Sequence, residues 1–354
     1  MRAWTLERPG DGLRLSELDE PQVRPGGVLL EILAAHVPAY THVVAARPRG
    51  RVPTPLVLGA GGVGRVLAVA DDVLGLAPGD VVAHTVLLSS GDVADPQEFL
   101  VGWTGIGGRG EVTPTVTAMQ DRWRDGTFAE RVVAPKETLV RLPGAETWAP
   151  ERLALLGWFA IAAEGLAWPG MAAGDAIAVL GATGGLGGAG VRLALAGGAS
   201  RVVAVGRNET ALARLAALDP RVRTVPLTDR EGTAAAITEA GEVDVVLDAL
   251  GAVGSPDPTL AGYDALRPGG TMVLIGGVRE DLGLPYGDLM RRRLTLRGSW
   301  MFSHRTALRV WRTVQAGVLD LDTIPVRTVG LDDPAGALAL AAETGGDGFV
   351  VLVP

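Results

Sequence analysis

The chain reads as an α/β protein, with a doubly wound parallel sheet inserted in a β-rich domain. Three observations carry this. From about residue 150 to about residue 300, short apolar runs alternate with helical patterns, the order that builds a parallel sheet. The first third holds apolar or alternating runs cut by turn signals such as Pro25-Gly26-Gly27 and Pro78-Gly79-Asp80. The tail beyond residue 300 drops the α/β rhythm, so it is expected to return to the first domain.

In the first third, strands are expected at 1–6, 28–33, 64–70, 81–86 and 128–134. Residues 87–125 read as a long, weakly periodic, Gly/Thr-rich connection, the kind of segment that forms a functional lobe. In the α/β stretch, strands are expected at 176–180, 201–205, 222–226, 243–248, 271–275 and 294–298. Their helices fall at 184–197, 208–218, 231–240, 258–267 and 285–292. The tail carries helical patterns at 305–316 and 334–343, with a short strand between them and a closing strand at 349–353.

The 354 residues suggest about two domains, and 47% hydrophobic with 20% charged residues is the texture of a globular chain with a sizeable core. A net charge of −8 and no clustered basic face argue against nucleic acid as a partner. The absence of cysteine excludes disulfides and thiolate zinc sites. The longest apolar stretch, 153–168, is short and carries Glu164, so no membrane span is expected. Residues 1–6 read as a strand rather than a leader, and a cytoplasmic protein is expected.

The most informative stretch is 176–208, AIAVLGATGGLGGAGVRLALAGGASRVVAVGRN. An apolar run meets the glycine-rich turn of Gly181, Gly184, Gly185 and Gly187; a helical pattern and a second apolar run follow. This is the strand, turn, helix and strand of a dinucleotide-binding unit. Backbone amides must approach a pyrophosphate closely, which demands glycine, and the helix N-terminus supplies free N–H groups and the positive dipole end. About 20 residues on, a site for NAD usually places Asp or Glu against the ribose hydroxyl. This chain has Gly206 followed by Arg207 and Asn208. Glycine makes room for a 2′-phosphate and a guanidinium binds it, so the stretch reads as an NADPH site.

Several further pieces, in order, resemble the medium-chain dehydrogenase/reductase superfamily over essentially the whole chain. They are 23–35 (VRPGGVLLEILAA), 58–66 (LGAGGVGRV), 78–82 (PGDVV), 126–134 (GTFAERVVA), 243–251 (VDVVLDALG) and 269–277 (GGTMVLIGG), together with the glycine turn. The resemblance implies a GroES-like catalytic domain over 1–159 and 301–354, and a Rossmann domain over 160–300, with substrate and nicotinamide meeting in the cleft between them. The cofactor-binding set is then Gly181, Thr183, Gly184, Gly185, Leu186, Gly187, Gly206, Arg207, Asn208, Ala249, Leu250, Gly251, Ile275, Gly276 and Gly277. Zinc alcohol dehydrogenases of the superfamily carry Cys, His-Glu and Cys at three cleft positions. The matching positions here are Pro38, Ala60-Gly61 and Gly157, none of which can coordinate zinc, so no metal is expected.

The resemblance also puts Tyr40 at the hydroxyl-relay position and His42 one residue short of the relay histidine. A phenol can hydrogen-bond a carbonyl oxygen or deliver a proton. Packing of the cleft wall by Tyr40 and capping by His42 stay open as alternatives. Trp158, Phe159, Trp300 and Phe302 are candidates for an aromatic pocket suited to a flat, apolar substrate, or for domain packing. Together these residues imply a zinc-independent, NADPH-dependent reductase of an activated C=C or C=O bond in a small apolar molecule. Reduction of an imine or iminium, and a non-catalytic NADPH-binding protein, are the alternatives. The family leads us to expect a homodimer.

Overall fold

The computed structural model describes residues 1–47, 52–103, 112–167, 170–344 and 346–354. The chain divides into two compact units: Met1–Gly157 with Pro325–Thr344 and Phe349–Pro354, and Trp158–Ile324 with Gly345–Gly348. No helix among the described residues is long and apolar enough to cross a membrane.

The first unit is built on a sheet in the order Leu139–Arg141, Val81–His84, Gly62–Val69, Gly27–His36, Phe349–Leu352 and Val326–Val329, with Arg131–Pro135 also pairing to Gly27–His36. Gly27–His36 is the hinge of the arrangement because its ten residues are long enough to pair with three partners. A second sheet orders Arg14–Glu17, Arg2–Leu6 and Leu56–Val57. Trp4 is fully buried in it, edge-on to Phe128 at 5.3 Å, and its indole N–H donates to the Leu331 carbonyl at 2.7 Å. A buried indole needs such an acceptor, since an unmet N–H would cost about 1–3 kcal/mol.

The expected featureless connection at 87–125 has structure of its own. Leu87–Ser89 pairs with Glu98–Leu100, and a helix runs from Pro114 to Arg122 behind the Thr113 cap, whose hydroxyl accepts from Val116 N. Leu88, Phe99, Val101, Val116, Trp123 and Val133 close a small apolar core beneath it. Three-residue strands are too short to show a period of two, which is why the sequence pattern misses them. Part of the connection, 104–111, lies outside the described residues. At the base of the lobe Gly59, Gly102 and Gly126 pack backbone to backbone: a β-carbon on Gly102 would fall 2.6 Å from the Gly59 carbonyl oxygen.

The second unit is a six-stranded, all-parallel sheet in the order Val222–Pro226, Arg201–Gly206, Ala176–Leu180, Val243–Asp248, Leu266–Leu274 and Thr295–Gly298. Helices Gly185–Ala196, Glu209–Ala216, Arg230–Glu239, Asp257–Ala265 and Tyr286–Arg291 follow the expected order. Both faces are covered, which makes the central strands continuous apolar runs. Ile177 and Val179 join Val191, Leu212 and Leu215 on one face, while Ala178 and Leu180 join Val205, Ile237 and Tyr263 on the other.

Residues 301–324 belong to this second unit, whereas the sequence pattern assigns 301–354 to the first. The helix His304–Gln315 buries Ala307, Val310, Trp311 and Val314, and the Glu164 carboxylate accepts from Ser303 N and Oγ at 3.0 and 3.1 Å. A second late segment joins the unit through Asp347, which is fully buried and pairs with Arg192 at 2.7 Å and Arg214 at 3.0 Å. Burial alone would raise the Asp347 pKa, but the hydrogen bonds and charges of Arg192 and Arg214 outweigh it and hold the carboxyl below its ordinary value. Arg192 is itself buried, whereas Arg214 is partly exposed and screened, so the Arg192 arm carries most of the energy.

Asp347→Ala leaves the Arg192 guanidinium buried without its counter-charge, so it is expected to lower unfolding stability by about 3–5 kcal/mol in urea titrations. A depressed carboxyl pKa contributes stability above the unfolded value of about 3.9, and that contribution disappears as pH falls toward the folded value. Wild-type stability should therefore drop below about pH 4 by more than that of Asp347→Asn, measured in the same titrations.

Candidate functional site

The carboxyl ends of the parallel strands meet at one edge of the sheet, where ligands bind in open α/β folds. Ala176–Leu180 is wholly buried and ends in Gly181, whose φ of +71° lies in the left-handed region. Gly184 then caps the helix Gly185–Ala196 without a side-chain hydrogen bond. Among the described residues no group accepts from the amides of Gly185, Leu186 or Gly187, so three N–H groups stand at the positive end of a twelve-residue helix. Gly187 lies directly against the Gly181 carbonyl, with no space for a β-carbon. Gly184 has only that carbonyl, at 3.5 Å, near the place its β-carbon would occupy.

Arg201–Gly206 ends beside this turn. Gly206 is buried, and a β-carbon on it would stand 2.5 Å from Thr183 Cγ2 and 2.7 Å from Thr183 Oγ1. Arg207 is exposed, and no described residue accepts a hydrogen bond or ion pair from it. Asn208 is also exposed, but its Oδ1 accepts from Ala211 N at 2.9 Å and caps the helix Glu209–Ala216. That cap commits its amide oxygen, so any contact of Asn208 with a ligand falls to the amide N–H groups.

The third piece is the pair of loops at 249–251 and 275–277. Ile275 N donates to Asp248 O at 3.0 Å, Gly277 N to Leu250 O at 2.7 Å, and Ala249 N to Leu180 O at 3.1 Å. Gly276 presses against the Leu250 carbonyl, whereas Gly251 and Gly277 border open space. The buried Asp248 carboxylate holds the first loop: Oδ1 accepts from Leu250 N at 2.9 Å and Oδ2 from Thr259 Oγ1 at 2.6 Å. Burial raises the Asp248 pKa, and these two bonds offset only part of that rise. The sequence pattern marks the loop but not Asp248 as its anchor; the signal available was a lone acid closing an apolar strand.

Open glycines, unused helix amides and an unopposed arginine fit a phosphorylated dinucleotide. The positions that the resemblance pairs with metal ligands do not fit zinc. Pro38 and Gly61 are buried, and Pro38, Ala60, Gly61 and Gly157 have no donor side chain. Among the described residues no three His, Asp or Glu side chains form a group able to hold a metal ion.

In the first unit Tyr40 is 46% exposed just before the helix Thr41–Ala46, and its ring lies edge-on to Trp103 with centroids 6.2 Å apart. His42 is exposed in the first turn of that helix. Thr41, between them, is buried, and its hydroxyl donates to the Pro38 carbonyl at 2.6 Å. His84 is a buried histidine that the sequence does not single out. Burial pushes its pKa down to about 4, its Nδ1 has no partner among the described residues, and its carbonyl lies 3.0 Å from where a Gly61 β-carbon would be. Two residues on, Val86 holds a φ of +60°, a strained conformation for a β-branched residue.

The four aromatic candidates differ in setting. Phe159 is only 1% exposed and serves as core, Trp158 and Phe302 are half-buried, and Trp300 is 53% exposed. The Glu164 bonds to Ser303 fasten the segment carrying Trp300 and Phe302 to the helix Leu156–Ala167 that carries Trp158.

Residues 24–144 match the family described as alcohol dehydrogenase GroES-like domain, and residues 185–316 match the one described as zinc-binding dehydrogenase. Among curated relatives, a probable zinc-binding alcohol dehydrogenase of Mycobacterium tuberculosis is 32% identical over 175 residues. That match spans 49% of this chain and 44% of the relative, so the chain covers under half of that relative's length. An alcohol dehydrogenase of Rhizobium meliloti is 28% identical over 311 residues, 84% of each chain. Two solved structures share the fold over the whole chain. One is an NAD-dependent alcohol dehydrogenase with TM-score 0.78, 27% identity and 100% of that chain covered. The other is a zinc-binding dehydrogenase from Sinorhizobium meliloti bound to NADP, with TM-score 0.77, 22% identity and 99% of that chain covered.

Asp248→Ala strands Leu250 N and the Thr259 hydroxyl, and is expected to cost about 1–3 kcal/mol in thermal or urea unfolding. Asp248→Asn keeps an oxygen for Leu250 N and offers Thr259 an N–H. Its cost should stay near or below about 1 kcal/mol, and equal losses in the two variants would refute the anchoring role.

Proposed function

The chain belongs to the medium-chain dehydrogenase/reductase superfamily of oxidoreductases, and from that footing we propose that it is a zinc-independent, NADPH-dependent reductase. Its substrate is an activated C=C or C=O bond in a small apolar molecule. The observation that carries the cofactor choice is Gly206-Arg207: no carboxylate stands where a ribose diol would be bound, and an unopposed guanidinium lies next to it. The direction of reaction follows from the missing metal donors. A Lewis acid makes an alcohol acidic enough to give up hydride at neutral pH, and Pro38, Ala60, Gly61 and Gly157 offer no means of holding one.

NADPH supplies the hydride when bound. The amides of Gly185, Leu186 and Gly187 would hold the pyrophosphate, Arg207 and the Asn208 amide the 2′-phosphate, and the loops at 249–251 and 275–277 the ribose and nicotinamide. The Tyr40 phenol donates to the acceptor oxygen or to the carbon that takes up the proton, and His42 passes a proton from solvent. Trp158, Trp300 and Phe302 would supply the apolar wall, while Phe159, buried, serves as core.

The same reading makes the protein a cytoplasmic homodimer. The edge strand Thr295–Gly298 is largely exposed, the helix Tyr286–Arg291 buries none of its residues, and Tyr286 is 81% and Met290 57% exposed. An uncovered strand edge flanked by apolar side chains suits pairing with a second copy.

Steady NADPH oxidation with enones, quinones and ketones tests the activity; tight NADPH binding with no turnover on any acceptor would refute it. Arg207→Ala should lower kcat/KM for NADPH by roughly 10–100-fold, the worth of a charge-assisted hydrogen bond, and leave that for NADH nearly unchanged. Metal analysis of the purified protein should find no stoichiometric zinc, and one zinc per chain would overturn the metal-free mechanism.

A further inference from the structure

Gly206 owes its identity to a neighbour as much as to a ligand. The strand Arg201–Gly206 and the turn after Ala176–Leu180 are both fixed. Ala182, with no exposed surface, donates its N–H to Val205 O at 2.9 Å, and Gly184 N donates to Gly181 O at 2.9 Å. On the other side Gly206 sits opposite Pro226 in the ladder, and its carbonyl accepts from Leu227 N at 2.9 Å. Neither backbone can retreat without breaking sheet hydrogen bonds.

Between these fixed backbones stands the Thr183 side chain. A β-carbon at 206 would be 2.5 Å from Thr183 Cγ2, 2.7 Å from Oγ1 and 3.1 Å from Cβ, against an ordinary carbon contact of about 3.5–4.0 Å. Threonine carries two γ heavy atoms on three staggered positions, and here both face 206. Turning χ1 to either other staggered well moves one γ atom away and leaves the other γ atom in a facing position. No rotamer of threonine clears the space, whereas serine, with a single γ atom, can.

We infer that Thr183 is a specificity-determining residue: its branched side chain closes position 206 to any residue with a β-carbon, and so bars the ribose-binding carboxylate that NADH recognition would use. This deepens the NADPH reading and rests on it. A corollary is that cofactor preference is set by two positions together, and that the acidic substitution alone does not reverse it.

The test is a double-mutant cycle of Gly206→Asp and Thr183→Ser, with kcat/KM measured for both nicotinamide cofactors on one acceptor. Gly206→Asp alone should lose NADPH efficiency without gaining NADH efficiency, and the double variant should exceed it with NADH by about tenfold. Equal NADH efficiency in the single and double Asp variants overturns the inference. Should the Asp variants fail to fold, Gly206→Ala and its pairing with Thr183→Ser repeat the cycle in thermal unfolding. Restoration by serine of at least half the melting-temperature loss supports the steric lock, and additive losses overturn it. A wild-type protein that uses NADH as well as NADPH refutes the cofactor reading, while the Ala/Ser cycle still decides the packing claim.

Discussion

At Gly187, Gly206 and Gly276, on the carboxyl edge of the parallel sheet, a β-carbon would collide with the neighbouring chain, and the organisation of that edge follows from this. Gly187 lies on the Gly181 carbonyl, Gly276 on the Leu250 carbonyl and Gly206 on the Thr183 side chain. Close packing of main chain on main chain brings strand ends, helix start and loops within hydrogen-bond reach, so that Ala182 reaches Val205 and Gly277 reaches Leu250. The glycines that are not pressed, Gly184, Gly251 and Gly277, are the ones that border open space. Crowding behind the surface and emptiness in front of it are two sides of one geometry, and a backbone-lined cradle is the result.

The first unit uses the same device where no phosphate chemistry is implied. Gly59, Gly102 and Gly126 interlock at the base of the 87–125 lobe, and the lobe's own apolar core of Leu88, Phe99, Val116 and Trp123 holds it closed. Six buried side chains close the lobe, each contributing roughly 1.5–3 kcal/mol by burial before the entropic cost of ordering the segment.

The parallel-sheet unit was almost wholly legible in the sequence, because burial on both faces turns its strands into unbroken apolar runs such as AIAVL and RVVAV. The turn was legible for a related reason, since glycine is the residue whose presence reports a missing side chain. What stayed hidden depends on contacts distant in sequence. Ser303 meets Glu164 across 139 positions, and such distant contacts decide which unit residues 301–324 join. Sequence adjacency to Trp158 could not show that Phe159 turns inward. His84 likewise looks like any histidine until its burial is seen.

The Arg192–Asp347 pair has a consequence in time. The two partners are 155 residues apart in the chain. A ribosome adding about 5–20 residues per second needs roughly 8–30 s to travel from one to the other. During that interval the five strands of the parallel sheet that follow Ala176–Leu180 are synthesised, yet the helix that follows the glycine turn still carries a cation whose buried place is not neutralised. The unit therefore stays without this counter-charge until Asp347 has been made, and the segment around Asp347 acts as the fastener that completes it.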